Sequence, residues 1–229
     1  MKHEMSRKDY FKDRFEKGAQ GISAGIFVAL GVGMLLKSMG GLLHIDLLVL
    51  FGTISMLILA PALGGAIAYS LGANGITLVS AMVAATIGGN ALKEVDGAFT
   101  IQTGLPIGAI IGAIVATYVG KKVTGKTILD MMAVPVSAVL AGSLVGYYLA
   151  RVVEPALVVI SKSIAQSVEG QPLISSVVIA LVFAVIVMTP ASSAALVIVL
   201  QLDPASSAAA LVGISAQFVG YTAMGLKDN

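Results

Sequence analysis

Seven apolar segments, at about 18–38, 47–71, 75–92, 104–120, 131–151, 171–189 and 204–225, recur along this chain with almost no charge inside them. A helix needs about 20 apolar residues to cross the hydrocarbon core of a bilayer, and most of these segments approach that length. In hydrocarbon each backbone amide must be satisfied within the protein, so the segments read as helices. Composition agrees: hydrophobic residues make up 57% of the chain and charged residues 11%, against about 25% charged in soluble domains. The pattern predicts an all-α, polytopic helical membrane protein with about seven hydrophobic segments. No linker interrupts it, so residues 18–229 read as one membrane-embedded domain behind a charged stretch, 1–17.

Charge orients the segments. Lys2, Arg7, Lys8, Lys12, Arg14 and Lys17 crowd the start, and Lys121, Lys122 and Lys126 recur in KKVTGK. Both stretches belong on the cytoplasmic side by the positive-inside rule, and four spans between them satisfy that parity. The connection near 39–46 and the polar stretch 93–103 then face outward, and the LGANG turn at 71–75 faces inward. The first stretch reads as an amphipathic helix on the membrane surface, with Tyr10, Phe11 and Phe15 toward lipid and its lysines toward headgroups. The alternative is a solvated tail.

The spans are suited to close contact. Gly104, Gly108, Gly112, Ala116 and Gly120 recur every fourth residue, as do Gly21, Gly25, Ala29 and Gly33 in the first span. Such stripes let helix backbones approach, and they read as packing seams in preference to a pore lining. Pro61, Pro106 and Pro135 each remove a hydrogen-bond donor inside or at the mouth of an apolar segment.

Pro190 and Pro204 are different, because each opens a copy of the hexapeptide PASSAA. The fourteen positions between them make a helix of roughly 21 Å, too short to cross. Proline suits the first helical turn, and Ser192, Ser193, Ser206 and Ser207 follow where side chains can satisfy orphan amides. The pattern predicts a re-entrant or broken helix near 190–203, the element with which transporters present helix ends to a solute. The bland reading is one bent span with a loop.

Few polar residues accompany the spans. Asp203 sits at the predicted turn, where capping and solute contact are equally open; Gln201 and Gln217 can bond a sugar hydroxyl or a neighbouring helix. Asn90 and Glu94 lie in 88–106, which is either an exposed loop or one folded back toward a binding cavity. Arg151 and Glu154 are spaced to pair on one helix face, and beyond Pro155 the sequence alternates like a helix lying along the interface. His3 and His44 have no carboxylate at catalytic spacing and read as structural. Metal clusters, a nucleophile elbow and a phosphate-binding glycine loop are missing from the sequence, so no metal, cofactor or catalytic residue is predicted. No basic stripe interleaved with aromatics points to nucleic acid, and without cysteine there are no disulfides.

The runs TGLPIGAIIGAIVATYVGKKVTGK and MTPASSAALVIVLQLDPASSAAALVGISAQFVGYTAMGLKDN resemble the membrane component of bacterial sugar phosphotransferase systems, the IIC-like family that includes perfringolysin-regulator-type proteins. The resemblance implies a multi-pass homodimer of the bacterial cytoplasmic membrane, N-terminus inside, that binds a sugar or polyol between its spans. It implies cytosolic IIB and IIA phosphotransfer partners, with IIB donating phosphate to the entering sugar, and further spans beyond Asn229. On it, Ser192, Ser193, Asp203 and Gln217 become solute contacts. Two other readings stay open: a membrane-embedded solute sensor without transport, and a carrier or channel unrelated to phosphotransfer.

Overall fold

The structure is a computed structural model that describes residues 7–95, 98–126, 128–170, 172–187, 206–213 and 216. The chain divides into two compact units, Met1–Val152 and Val153–Asn229.

The first unit begins with one long helical run. Helix α1 (Arg7–Ile26) passes into a π-helix (Phe27–Val32) and then α2 (Gly33–Leu43). The stretch Lys8–Leu43 holds 36 residues, about 54 Å at 1.5 Å each. It stops at His44, which takes the left-handed conformation (φ 55°) while the Ile45 N–H reaches back 2.9 Å to the Gly40 carbonyl. That closure is a helix C-terminal motif, and it gives His44 the structural role expected of it.

The chain returns through α3 (Asp46–Leu57) and α4 (Leu59–Ser70), bent by 59° where they meet. Pro61 causes the bend: it has no N–H for the Leu57 carbonyl, and its ring crowds that turn. Helix α1 packs on α4 and α2 on α3, so the bent pair runs back along the first helical run with the π-helix beside the bend. On one side of the bend Leu59 and Leu63 are fully covered, while Ile58 at the bend itself is exposed.

A tight turn then reverses the chain. Gly72 takes φ 72°, the Ala73 N–H bonds the Ala68 carbonyl at 2.9 Å, and the Asn74 side chain caps α5 by accepting from the Thr77 N–H at 2.8 Å. Helix α5 (Gly75–Gly88) leads into an antiparallel hairpin, β1 (Leu92–Val95) and β2 (Ala98–Ile101), and then α6 (Pro106–Val123). Pro106 is the first residue of α6, where its missing donor costs nothing; it starts the helix and does not kink a span.

The stripes are packing seams. Gly108, Gly112, Ala116 and Gly120 are all buried on α6. Helix α7 (Asp130–Gly170) answers with Ala138, Gly142, Gly146 and Ala150, also buried. A methyl group on Gly142 would lie 2.5 Å from the Gly112 carbonyl oxygen, and one on Gly120 would lie 2.6 Å from Thr77 of α5. In the first span a methyl on Gly21 would lie 2.7 Å from the Ile67 backbone of α4. These backbones approach too closely for a methyl group at the glycines, and in lipid such contact supplies dispersion energy where no hydrophobic effect operates.

The second unit holds the rest of α7, which continues through Pro155 without a break, then α8 (Pro172–Val187) and a helical stretch at 206–213. Phe183, Ser206, Ala209 and Ala210 are buried there, and Gly213 lies against the Ala180 backbone.

The helical membrane architecture is the one expected, but seven clear spans are not. Among the described residues three helices, Lys8–Leu43, Pro106–Val123 and Asp130–Val153, are long and apolar enough to cross, and the bent pair Asp46–Leu57 with Leu59–Ser70, taken as one span, is a fourth. Gly75–Gly88 and Leu173–Phe183 are apolar but shorter. The predicted break at 190–203 lies outside the described residues.

Candidate functional site

Two interrupted helices meet in the first unit. On one side is the α3–α4 bend, whose Leu57 carbonyl lacks the donor that residue 61 would have supplied. On the other is the π-helix, whose wider turn shifts its hydrogen bonds by one residue. Ser55 ties them together: its hydroxyl donates to the Ala29 carbonyl at 3.1 Å and the Val28 carbonyl at 3.4 Å. Thr53, two residues earlier, bonds within its own helix to the Val49 carbonyl at 2.8 Å. The π-helix, α3 and α4 contain one charged residue, Asp46 at the very start of α3. Backbone carbonyls and hydroxyls of this kind can bond a neutral, hydroxyl-bearing solute or let the helices flex.

Neither interrupted helix contains a predicted site residue. Asn90 and Glu94 are described, and the structure gives them separate roles. Asn90 is left-handed (φ 50°) just beyond α5, with its N–H on the Ile87 carbonyl at 2.9 Å and the Ala91 N–H on Thr86 at 3.0 Å. It ends the helix in the conformation that asparagine tolerates better than most residues. Glu94 is exposed on β1, opposite Phe99 of β2. The stretch 88–106 is thus a hairpin on the end of two helices, fastened by the Gln102 N–H to the Ala91 carbonyl at 2.7 Å and the Leu105 N–H to the Gly89 carbonyl at 2.6 Å. Ser192, Ser193, Gln201, Asp203 and Gln217, with Pro190 and Pro204, lie outside the described residues. Arg151 is engaged with Tyr147, its guanidinium 4.1 Å over the ring and bonded to the phenol oxygen.

The opposite end of the first unit carries a feature that sequence reading did not single out. Arg14 of α1 and Lys121 of α6 both donate to the Leu71 carbonyl at the end of α4, at 3.1 Å and 2.7 Å. The negative end of a helix dipole and an orphan carbonyl favour cations there. The contact places the basic start, the LGANG turn and KKVTGK at one end of the unit, as the charge pattern requires.

An apolar groove of about 390 Å³ runs between α5 and α7, lined by Ile76, Val79, Val83, Pro135 and Val139, and its Ser80 hydroxyl is taken by the Ile76 carbonyl at 2.7 Å. It suits an acyl chain or a helix, not a sugar. Among the described residues no group of three or more histidine, cysteine or acidic side chains is placed to hold a metal.

Compared with known proteins, the chain matches the family model described as phosphotransferase system, EIIC, over residues 16–229. No curated protein and no solved structure matches it significantly. Apolar helices seamed by glycine, a proline-broken helix pair and a match running from the first helix to Asn229 lead to one conclusion: the chain belongs to the phosphotransferase system EIIC family.

Proposed function

We propose that this protein is the permease component of a sugar phosphotransferase system in the bacterial cytoplasmic membrane. It binds a sugar or polyol and passes it inward for phosphorylation by a cytosolic IIB partner, itself recharged by IIA. The observation that carries this reading is the family match over residues 16–229. The chemistry of the chain supports it: interrupted helices leave carbonyls and hydroxyls inside the bilayer, suited to a neutral polyhydroxylated solute.

The solute contacts in this reading are Ser192, Ser193, Gln201, Asp203 and Gln217, presented by helix breaks at Pro190 and Pro204. Hydroxyl, amide and carboxylate groups can match sugar hydroxyls in both donor and acceptor roles. The N-terminus lies in the cytoplasm and the working unit is a homodimer.

The test is phosphoenolpyruvate-dependent uptake into vesicles with the soluble partners supplied. Phosphorylated solute should accumulate inside, and Pro190→Ala with Pro204→Ala should cut uptake while leaving the amount of protein in the membrane unchanged. Binding of solute with no flux would replace this reading with that of a sensor.

A further inference from the structure

We infer that strand β2 pairs edge to edge with β2 of a second copy of this chain, joining two hairpins into one antiparallel sheet. The hairpin is a two-stranded sheet, and every residue of β2 is exposed, Phe99 at 74% and Ile101 at 57%. Its register decides which backbone groups stand free. The Gln102 N–H bonds the Ala91 carbonyl, so those two residues face each other and, two positions on, so do Lys93 and Thr100. Antiparallel pairing alternates, which turns the N–H and C=O groups of Phe99 and Ile101 outward on β2 and those of Leu92 and Glu94 outward on β1. A two-stranded hairpin alone is marginal in water, and an edge with free donors and acceptors is a template for another strand.

The two edges differ in what guards them. β1 carries Lys93 and Glu94, whereas Ala98–Ile101 and the following Gln102 are uncharged. If β1 met its own copy through its outward groups, the fullest registers would set Lys93 against Lys93 or Glu94 against Glu94, and like charges directly opposite are destabilising. β2 is self-complementary instead. With Thr100 on the twofold axis, Phe99 lies opposite the second copy's Ile101 and Ile101 opposite its Phe99. These are aromatic and β-branched pairs, with threonine facing threonine at the centre, and such pairs stabilise sheets. The register makes about four main-chain hydrogen bonds between the copies. It also gathers the exposed Leu92, Phe99 and Ile101 of both copies on one face, because Leu92 is the partner of Ile101 within each hairpin. The twofold axis of such a pair is perpendicular to the sheet, so two copies oriented alike in one bilayer hold it flat at the membrane surface. A match of the strand to itself selects a second copy over a foreign strand. The contact belongs to the homodimer of the proposed function and rests on that reading only for the presence of the second copy.

The chain has no cysteine, so a disulfide in a single-cysteine variant joins two molecules. Thr100→Cys occupies a non-hydrogen-bonded pair, whose Cα atoms lie about 4.5 Å apart, within the roughly 4.4–6.8 Å that a disulfide spans. Lys93→Cys is three strand spacings from its copy, about 14 Å. In membranes under mild oxidation, the full chain with Thr100→Cys should link at least about tenfold faster than with Lys93→Cys. Ile101→Pro removes an outward N–H and leaves the hairpin's own bonds intact; added to Thr100→Cys, it should abolish the link. Equal linking at the two positions, linking that survives the proline, or disulfides from position 100 to other proteins alone would each overturn the strand pairing. Light scattering of the detergent-solubilised chain separates the causes of a missing link. A dimer that does not link at 100 overturns this contact and leaves the homodimer standing, whereas a monomer overturns both.

Discussion

Gly142 of α7 lies against the Gly112 carbonyl of α6 so closely that a methyl group on it would be 2.5 Å from the oxygen. Gly142→Leu should therefore destabilise the protein by about 1–3 kcal/mol or more through overpacking. Gly41→Ala is the contrasting change, since a methyl on that helical glycine meets nothing within 4 Å; it should stabilise by about 0.5–1 kcal/mol. Denaturation in detergent checks both signs.

Pro61→Ala returns a donor to the Leu57 carbonyl and should straighten the 59° bend between α3 and α4. Ser55, three residues before the break, bonds the Ala29 carbonyl, so the same change should loosen the π-helix if α3 shifts as the pair straightens. Spin labels at the ends of α3 and α4 should report a larger separation, and uptake should fall with it; an unchanged separation would show that neighbouring helices hold the bend without the proline.

Asn90 separates capping from solute contact. Asn90→Gly should leave stability nearly unchanged, whereas Asn90→Ala should cost about 1 kcal/mol, because an alanine pays for the left-handed conformation. If the side chain contacts solute, the glycine variant will fold normally yet bind sugar several times more weakly; the helix-end geometry predicts that it binds as before.

The shared Leu71 carbonyl puts Lys12 and Lys122 at one end of the first unit and Phe99 on the hairpin at the other. The chain has no cysteine, so single cysteines can be placed freely. Those at 12 and 122 should react with impermeant reagents only from the cytoplasmic side, and one at 99 only from outside.

Much of the first unit was legible in the sequence. The apolar segments of the first unit map onto helices, one of them, Gly75–Gly88, shorter than a crossing length, and the four-residue stripe of α6 becomes a buried seam, because each depends on side-chain type and helical period alone. Ala138, Gly142, Gly146 and Ala150 carry the same signal on α7. The hairpin at 92–101 has its own mark in the sequence, since Asp96-Gly97 is a strong turn signal. The π-helix has no such mark, since Phe27–Val32 is an ordinary apolar run. Its wider turn depends on what packs beside it. Asn90 and Glu94 stood out for polarity, but polarity does not distinguish a residue that ends a helix from one that binds solute. The Leu71 carbonyl was invisible for a simpler reason: a backbone acceptor has no side chain to announce it.

That carbonyl also imposes an order on biosynthesis. Its two donors lie 57 residues before it and 50 residues after it. The first helix can touch the end of α4 once α4 emerges from the ribosome, but the fastening gains its second donor only when Lys121 has been made. Until then Arg14 is the one of these two donors that can hold the end of α4, so the fastening stays incomplete until α6 has been made.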